Sequence, residues 1–568
     1  MKLRKNLLAL LLLGLTLIPR LASLRSFVTI DEPFWLSVGA NYYYALGQRE
    51  FQNTVYEYHP AVTTMSFVTA AFLVDFPDYR GYGQGYFDVD KEKFDPFLIE
   101  HGHDPMYLLY LSRLFQVGVI TLFVLIIFYF LSVLIGEEKA FLVTALTASA
   151  PYFLGHSRVL SHEAMVAAFV LASIVSLMAY LEHERKWYYL LISAASAALA
   201  QVTKSSAMAM FPAIALILAV SVFEKAKAQG FKPALFDHLK IFGIWLVELV
   251  GVYIVVWPGM WVAPGKMLYE VYGNAFSYAF EGARLQVTQE LQPSKFSLGS
   301  VWSTALGFIR TIILKATPVS WLGVVLAGGF LFSREKNSFV VVFKKLVLYL
   351  FVTAVMFILL FSIAQGRNSA HYIMSSYVSM DAIVALGWCA LLGWLGTKWE
   401  KANQLQVWAG AALIFFQLMS AISFYPYYYT YGNPIIAMIT GQEAVSDYGE
   451  GFEQAALYLS QKPNAASLKV LSFRGRGPFS YFFPGQTIIL NPLFIEEPNM
   501  GSMRERLAQA DYLVINAALG PRTERTKLFV SGLDGVVPED VINIKGVSTI
   551  YIYKISDLPP SFYENMSK

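Results

Sequence analysis

Apolar residues in this chain come in long unbroken blocks separated by short polar connections, not at the spacing of surface helices with one wet face. A bilayer crossing needs roughly 20 such residues. Eleven blocks approach that length: 7–28, 107–135, 140–156, 162–181, 187–203, 206–223, 241–258, 318–333, 346–364, 371–396 and 405–425. Two long polar stretches, 29–105 and 259–317, interrupt the series. From Pro426 the pattern changes: EGFEQAALYLS has amphipathic helical spacing, while LKVLSF, DYLVIN, DVINI and STIYIYKI read as short strands between Gly, Pro and Asn turns. The pattern predicts a mainly α, polytopic membrane region over 1–425, with about eleven transmembrane helices, and a small α/β domain over 426–568. The segment Val301 to Leu314 is read as a helix lying in the outer interface, because a crossing there would carry the basic stretch 334–345 outward.

Composition agrees: 56% of the 568 residues are hydrophobic, 15% are charged, and mean hydropathy is +0.49. A net charge of +3 is too small to suggest a nucleic-acid partner. The placement of the cations says more. Lys2, Arg4 and Lys5, Lys139, Arg185 and Lys186, Lys225 to Lys240, Arg334 to Lys345, and Lys398 with Lys401 fall on alternate connections, which go to the cytoplasm. That gives a multi-pass protein of the cell (inner) membrane, with a cytoplasmic N-terminus and an extracytoplasmic C-terminal domain. The N-terminus resembles a signal peptide, but no small-residue cleavage site precedes Pro19 and Arg20, so it is read as an uncleaved first span. The single cysteine, Cys389, rules out an intrachain disulfide.

Ionisable residues gather at the outer ends of these spans. Asp31 and Glu32 follow the first span, with His59 further along the same loop; Arg113 lies inside the second. Arg158, His162 and Glu163 occupy the turn SRVLSHEA, Lys204 the turn QVTKSS, and Arg367 and His371 bracket the turn before 371–396. Alone, the acid pair reads as a helix cap and each cation as a snorkelling anchor. Outer anchors should be sparse under the positive-inside bias, however, so the whole set calls for another account. One carboxylate can act as general base on an acceptor hydroxyl while Arg, Lys and His stabilise a phosphate leaving group. Glycosyl transfer from a phosphate-linked sugar needs little more, since phosphate leaves without the proton donor that a glycoside hydrolase requires. No P-loop or Rossmann glycine pattern offers a nucleotide-sugar site, which points to a lipid-linked donor. The aromatic residues of loops 29–105 and 259–317 are expected to form the acceptor groove. Asp31, Glu32, His59, His101 and His103 lack zinc-type spacing, so no metal ligands are assigned and a divalent metal stays open as a cofactor. Asp381 and Glu248, inside apolar blocks, are expected to form buried polar pairs. The alternative class, a transporter or flippase of a lipid-linked saccharide, needs polar residues along a path through the bilayer, and these spans are mostly clean.

The motifs also resemble a known family. The acid pair after the first span, the loop ending YEYHPAVTTM, and the runs RVLSHEAMVAAF, TKSSAMAMFP and GRNSAHYIMSSYVSMDAI are similar to the GT-C superfamily of membrane glycosyltransferases, in the protein O-mannosyltransferase and aminoarabinose transferase branch. The resemblance implies a polyprenyl-phosphate sugar donor, inversion at the anomeric carbon, and an acceptor that is a protein, lipid or glycan. It implies Asp31 as catalytic base with Glu32 positioning the acceptor. Arg158, Lys204, His59, Arg367 and His371 fall on the donor-phosphate side, and Glu163, His162, Tyr58 and Tyr372 on the acceptor or sugar. Two departures stand out: His59-Pro60-Ala61 replaces the family's double proline, and His371-Tyr372-Ile373-Met374-Ser375 lacks its Arg and Pro.

Overall fold

A bilayer offers backbone N–H and C=O groups no partner except each other, so apolar blocks close into helices. The computed structural model describes residues 2–56, 59–89, 93–281, 297–334, 338–364, 369–398, 402–440, 447–492, 495, 500–520 and 523–565. Among these, seven helices are long and apolar enough to cross a membrane: Pro105–Ile135, His162–Glu182, Ser205–Gln229, Phe231–Val256, Ser338–Ile363, Ala370–Lys398 and Gln404–Ile422. The protein is a multi-pass membrane protein. The other expected blocks form shorter or more polar helices. The first is Lys2–Leu21, with Arg20 in its last turn. The block 140–156 breaks into Glu137–Ala148 and Pro151–His156, because the residue before Pro151 must leave the helical region, and Ala150 sits at φ −60°, ψ 127°. Leu298–Lys315 is a helix bent by 117° from its successor, Pro318–Leu331. It buries Ala305 and Phe308 and exposes Leu298, Trp302 and Leu306, the one-sided pattern of a helix at an apolar boundary.

The bundle is drawn together by small residues. His162–Glu182 is buried along nearly its whole length, and Trp187–Thr203, which packs against it, buries Ala194, Ala197 and Ala198. Ser173 and Ser193 hydroxyls meet at 3.2 Å across this pair, and Trp245 Nε1 donates to Ser193 Oγ at 3.0 Å.

The chain divides into two units. The first comprises Met1–Ala22, Val38–Tyr86 and Leu111–Gln442; the second comprises Ser23–Ser37, Phe87–Tyr110 and Glu443–Lys568. A boundary at 425/426 gives the whole of 29–105 to the membrane helices, whereas here both ends of that loop pack with the tail. The reason is polar: Arg476 grips Asp95, and Tyr448 reaches Asp31.

The second unit is built on a five-stranded mixed sheet, β1 (Lys469–Phe473), β2 (Gln486–Leu490), β3 (Tyr512–Asn516), β4 (Asp540–Ile544) and β5 (Val547–Lys554), in the order β2-β1-β3-β5-β4. β1 runs parallel to β2 and β3, while β5 is antiparallel to β3 and β4. The amphipathic run folds as helix Phe452–Ser460, whose Phe452 and Leu459 join Leu471, Leu513 and Ile552 in the core. β2 is the strand the sequence pattern does not flag: its run QTIIL is short and follows FFPG directly.

Candidate active site

In the first unit a buried ion pair anchors the polar cluster. Glu163 lies in the first turn of His162–Glu182, where the helix dipole favours an acid. Lys204 follows Trp187–Thr203 directly, in extended conformation (φ −153°, ψ 133°), which turns its side chain out of the helix path. The Lys204 ammonium donates to Glu163 Oε1 at 2.5 Å, and the two side chains are only 7% and 10% exposed. Ser161 Oγ donates to Glu163 Oε2 at 3.0 Å. The Lys204 ammonium also lies 4.7 Å from the centre of the Tyr372 ring. Among the described residues these are its partners, so an ammonium with three N–H donors has capacity left in a nearly dry place.

Rings extend the cluster. His371 packs on Tyr372 at 4.5 Å between centroids and on His156 at 5.9 Å; His59 packs on His162 at 6.0 Å. The His59 segment is fastened from outside: Ala61 N donates to Thr203 O at 3.2 Å, and the Thr63 and Thr203 hydroxyls meet at 2.8 Å. The structure therefore brings together Glu163, Lys204, His162, His59, His371 and Tyr372 from four separate stretches of sequence. Arg158 stands differently. It is buried, donates to Pro426 O at 3.1 Å and to Ala22 O, and carries the Tyr428 ring 5.0 Å from its guanidinium. These contacts brace the turn that begins at Ser157.

Sequence reasoning missed His156, Tyr152, Tyr429 and Lys315. Lys315 donates to Tyr429 O at 3.1 Å and sits 5.4 Å from the Tyr152 ring centre, and His156 packs against both tyrosines. Gly155 allows this: a Cβ there would meet Tyr429 N at 2.3 Å. The tract FYPYYYTYGNP was the available signal, since tyrosines in that number need polar partners.

A cleft of about 300 Å³ in the same unit is lined by Asn41, Asn53, Tyr56 and Tyr86 of the stretch 29–105 and Lys266 of the stretch 259–317. The Tyr86 hydroxyl donates to Glu50 Oε2 at 2.5 Å, and burial, then that carboxylate, push the phenol up to about 12, leaving it a neutral donor. Lys266 donates to Gln52 O at 3.0 Å, tying the two loops together.

The acid pair belongs to the second unit, and its members differ. Glu32 is fully buried and accepts from Thr29 N at 2.8 Å and Thr29 Oγ1 at 2.9 Å, closing the start of helix Glu32–Gly47 as a cap does. Asp31 is partly exposed, and its Oδ2 accepts from the Tyr448 hydroxyl at 2.9 Å. Tyr448 is held in turn, since its carbonyl accepts from Ile30 N at 3.2 Å. The next residue, Gly449, has φ +108° and lies where a Cβ would come within 2.7 Å of Val28 O.

Tyr58 and Arg367, both read as site residues, lie outside the described residues. Among the described residues no group of three His, Cys, Asp or Glu side chains is arranged to hold a metal. Among the described residues Glu248 Oε2 is buried without a hydrogen-bond partner, so the pair expected there is not seen among them.

Residues 111–256 match the family model described as dolichyl-phosphate-mannose-protein mannosyltransferase. No curated protein matches the chain. Three solved structures are similar to it at low identity. ArnT from Cupriavidus metallidurans bound to undecaprenyl phosphate is 11% identical over 97% of this chain and 99% of its own, with a TM-score of 0.47. The archaeal oligosaccharyltransferase AglB from Archaeoglobus fulgidus is 12% identical over 93% of this chain and 70% of its own, at 0.44. The S. cerevisiae protein O-mannosyltransferase Pmt1-Pmt2 complex bound to the sugar donor is 18% identical over 50% of this chain, which spans only 37% of that one, at 0.36. The family match is confined to residues 111–256, and it lies in the mannosyltransferase branch that the motifs resemble.

Proposed function

We propose that this chain is an inverting glycosyltransferase that moves a sugar from a polyprenyl-phosphate-linked donor to an acceptor hydroxyl at the outer face of the membrane. Asp31 takes the acceptor's proton, and the acceptor oxygen attacks the anomeric carbon. The carbon–oxygen bond to phosphate breaks, and its electron pair leaves on the polyprenyl phosphate. Lys204 meets the charge that builds there. The observation that carries this reading is the ammonium's unused donors, held almost dry beside Glu163, because a cation in that condition favours an incoming anion. Glu163 aims the ammonium, while His59, His162, His371 and Tyr372 wall the phosphate and sugar. Arg158 serves by bracing the turn, and Arg367 completes the cation set.

The family match supports this, since residues 111–256 include Glu163 and Lys204. The cleft between the two outer loops, with its tyrosines, asparagines and Lys266, suits a hydroxyl-bearing acceptor, and the cation pattern supports a cytoplasmic N-terminus with the tail outside. The test is Asp31→Asn, expected to abolish transfer while the folded protein stays in the membrane. Transfer retained at matched expression removes Asp31 from the mechanism. Mass spectrometry of envelope glycans and glycoproteins from a deletion strain, searched for one missing hexose or pentose, would identify product and sugar.

A further inference from the structure

The second unit encloses a cleft of about 730 Å³ that the transfer step does not use. That is within the roughly 300–1,000 Å³ of ordinary ligand sites. One wall comes from the far end of the first outer loop, with Asp95, His103 and Asp104; the other is the chain entering β2, with Tyr481, Gln486 and Thr487.

Its charges are already matched. Arg476 holds Asp95 through two bonds, Nε to Oδ2 at 3.0 Å and Nη2 to Oδ1 at 3.2 Å, and also donates to Val89 O at 2.6 Å and Ser37 Oγ at 2.5 Å. Asp104 accepts from Arg25 at 3.3 Å and from Met106 N at 2.8 Å. Among the described residues that line the cleft, Arg476 is the one Lys or Arg, and its charge is met by Asp95. The surfaces that remain are rings, hydroxyls and an amide. Tyr481 donates to Asp95 Oδ1 at 3.2 Å, and burial, then the Asp95 charge, keep its phenol neutral by holding it well above the usual range. The Thr487 hydroxyl is buried with no hydrogen-bond partner among the described residues. Such a group is costly to bury unless something satisfies it. An orphan hydroxyl, an exposed amide at Gln486 and the rings of Tyr481 and Phe483, in a cavity with balanced charge, match alternating hydroxyls and C–H faces.

We propose that this cleft binds a neutral oligosaccharide. Binding there requires neither donor nor transfer, so the inference stands apart from the chemistry assigned to Asp31. The test is saturation-transfer NMR on the full chain in nanodiscs with maltotriose, mannotriose and triacetylchitotriose, with 3′-sialyllactose as an anionic control. At least one neutral probe should bind saturably at millimolar concentration and exceed the control. Thr487→Val with Gln486→Ala should weaken it by about tenfold, the equivalent of 1.4 kcal/mol, at unchanged melting temperature, and Thr487→Ser should restore it. Absence of binding by all three neutral probes, preference for the sialylated one, or binding undiminished in the double variant overturns the proposal.

Discussion

Each unit contains a nearly buried ion pair, and these two are built to opposite ends. Lys204 and Glu163 meet through a single 2.5 Å contact, with donors left over; Arg476 and Asp95 meet through two, and two further guanidinium hydrogens go to Val89 O and Ser37 Oγ. Exposure does not separate them, being 7% and 10% against 13% and 14%. Geometry does. A planar fork saturated on all sides fixes chain segments, whereas a flexible ammonium with spare hydrogens can change partners when an anion arrives. Similar burial therefore suits architecture in one unit and, under the proposed function, chemistry in the other.

The contrast breaks most directly at Lys204. Lys204→Met should lower transfer by about 100- to 1,000-fold, the cost typical of losing one electrostatic donor at a developing charge. It should also destabilise the fold, because Glu163 is left buried without its counter-ion. Lys204→Arg, keeping the charge, should restore melting temperature more fully than activity. Equal recovery of both in a transfer assay run beside thermal unfolding would make this pair structural too. Arg476→Met should do the reverse, costing about 3–5 kcal/mol of stability through the stranded Asp95, while affinity for polyprenyl phosphate, measured by titration, stays unchanged. Weakened phosphate binding in that variant would erase the distinction.

The smallest effect belongs to an exposed pair that serves as the reference. Burial raises the Glu539 carboxyl, but the hydrogen bond and charge of Lys462 outweigh it, so the group ends below its usual range. Its contribution is present above the ordinary carboxylate range and fades as pH falls through the depressed value. Screening limits it to about 0.2–1 kcal/mol. The protection factor of the Glu539 amide, bonded to Ile552 O at 2.8 Å, should fall slightly on acidification, and Lys462→Met should abolish that change.

Much of this was legible in sequence. Block length gave the long helices, and the short turns set Glu163 and Lys204 near one another because each must lie at a helix end. The division of 140–156 was readable too, since Pro151 forbids a helical Ala150. Thr29-x-x-Glu32 spells a capping pattern, yet the acid pair draws attention as catalytic; only the buried geometry separates Glu32 from Asp31. Other features were out of reach. Tyr448 stands 417 residues from Asp31, and nothing in local spacing links them. The commitment of Arg158 to backbone carbonyls depends on Pro426 and Ala22, remote in sequence and carrying no side-chain signal.

The second unit's three chain segments, 23–37, 87–110 and 443–568, impose an order on biogenesis. Asp31 and Asp95 emerge early in translation, but Tyr448, Arg476 and the sheet are synthesised only after the last long helix is made. The nascent loop must wait through most of membrane insertion before its partners exist. Expressing the tail by itself would therefore yield a sheet without the strips that complete it, whereas supplying 1–442 and 443–568 as separate polypeptides in one cell would let the late piece find the early one.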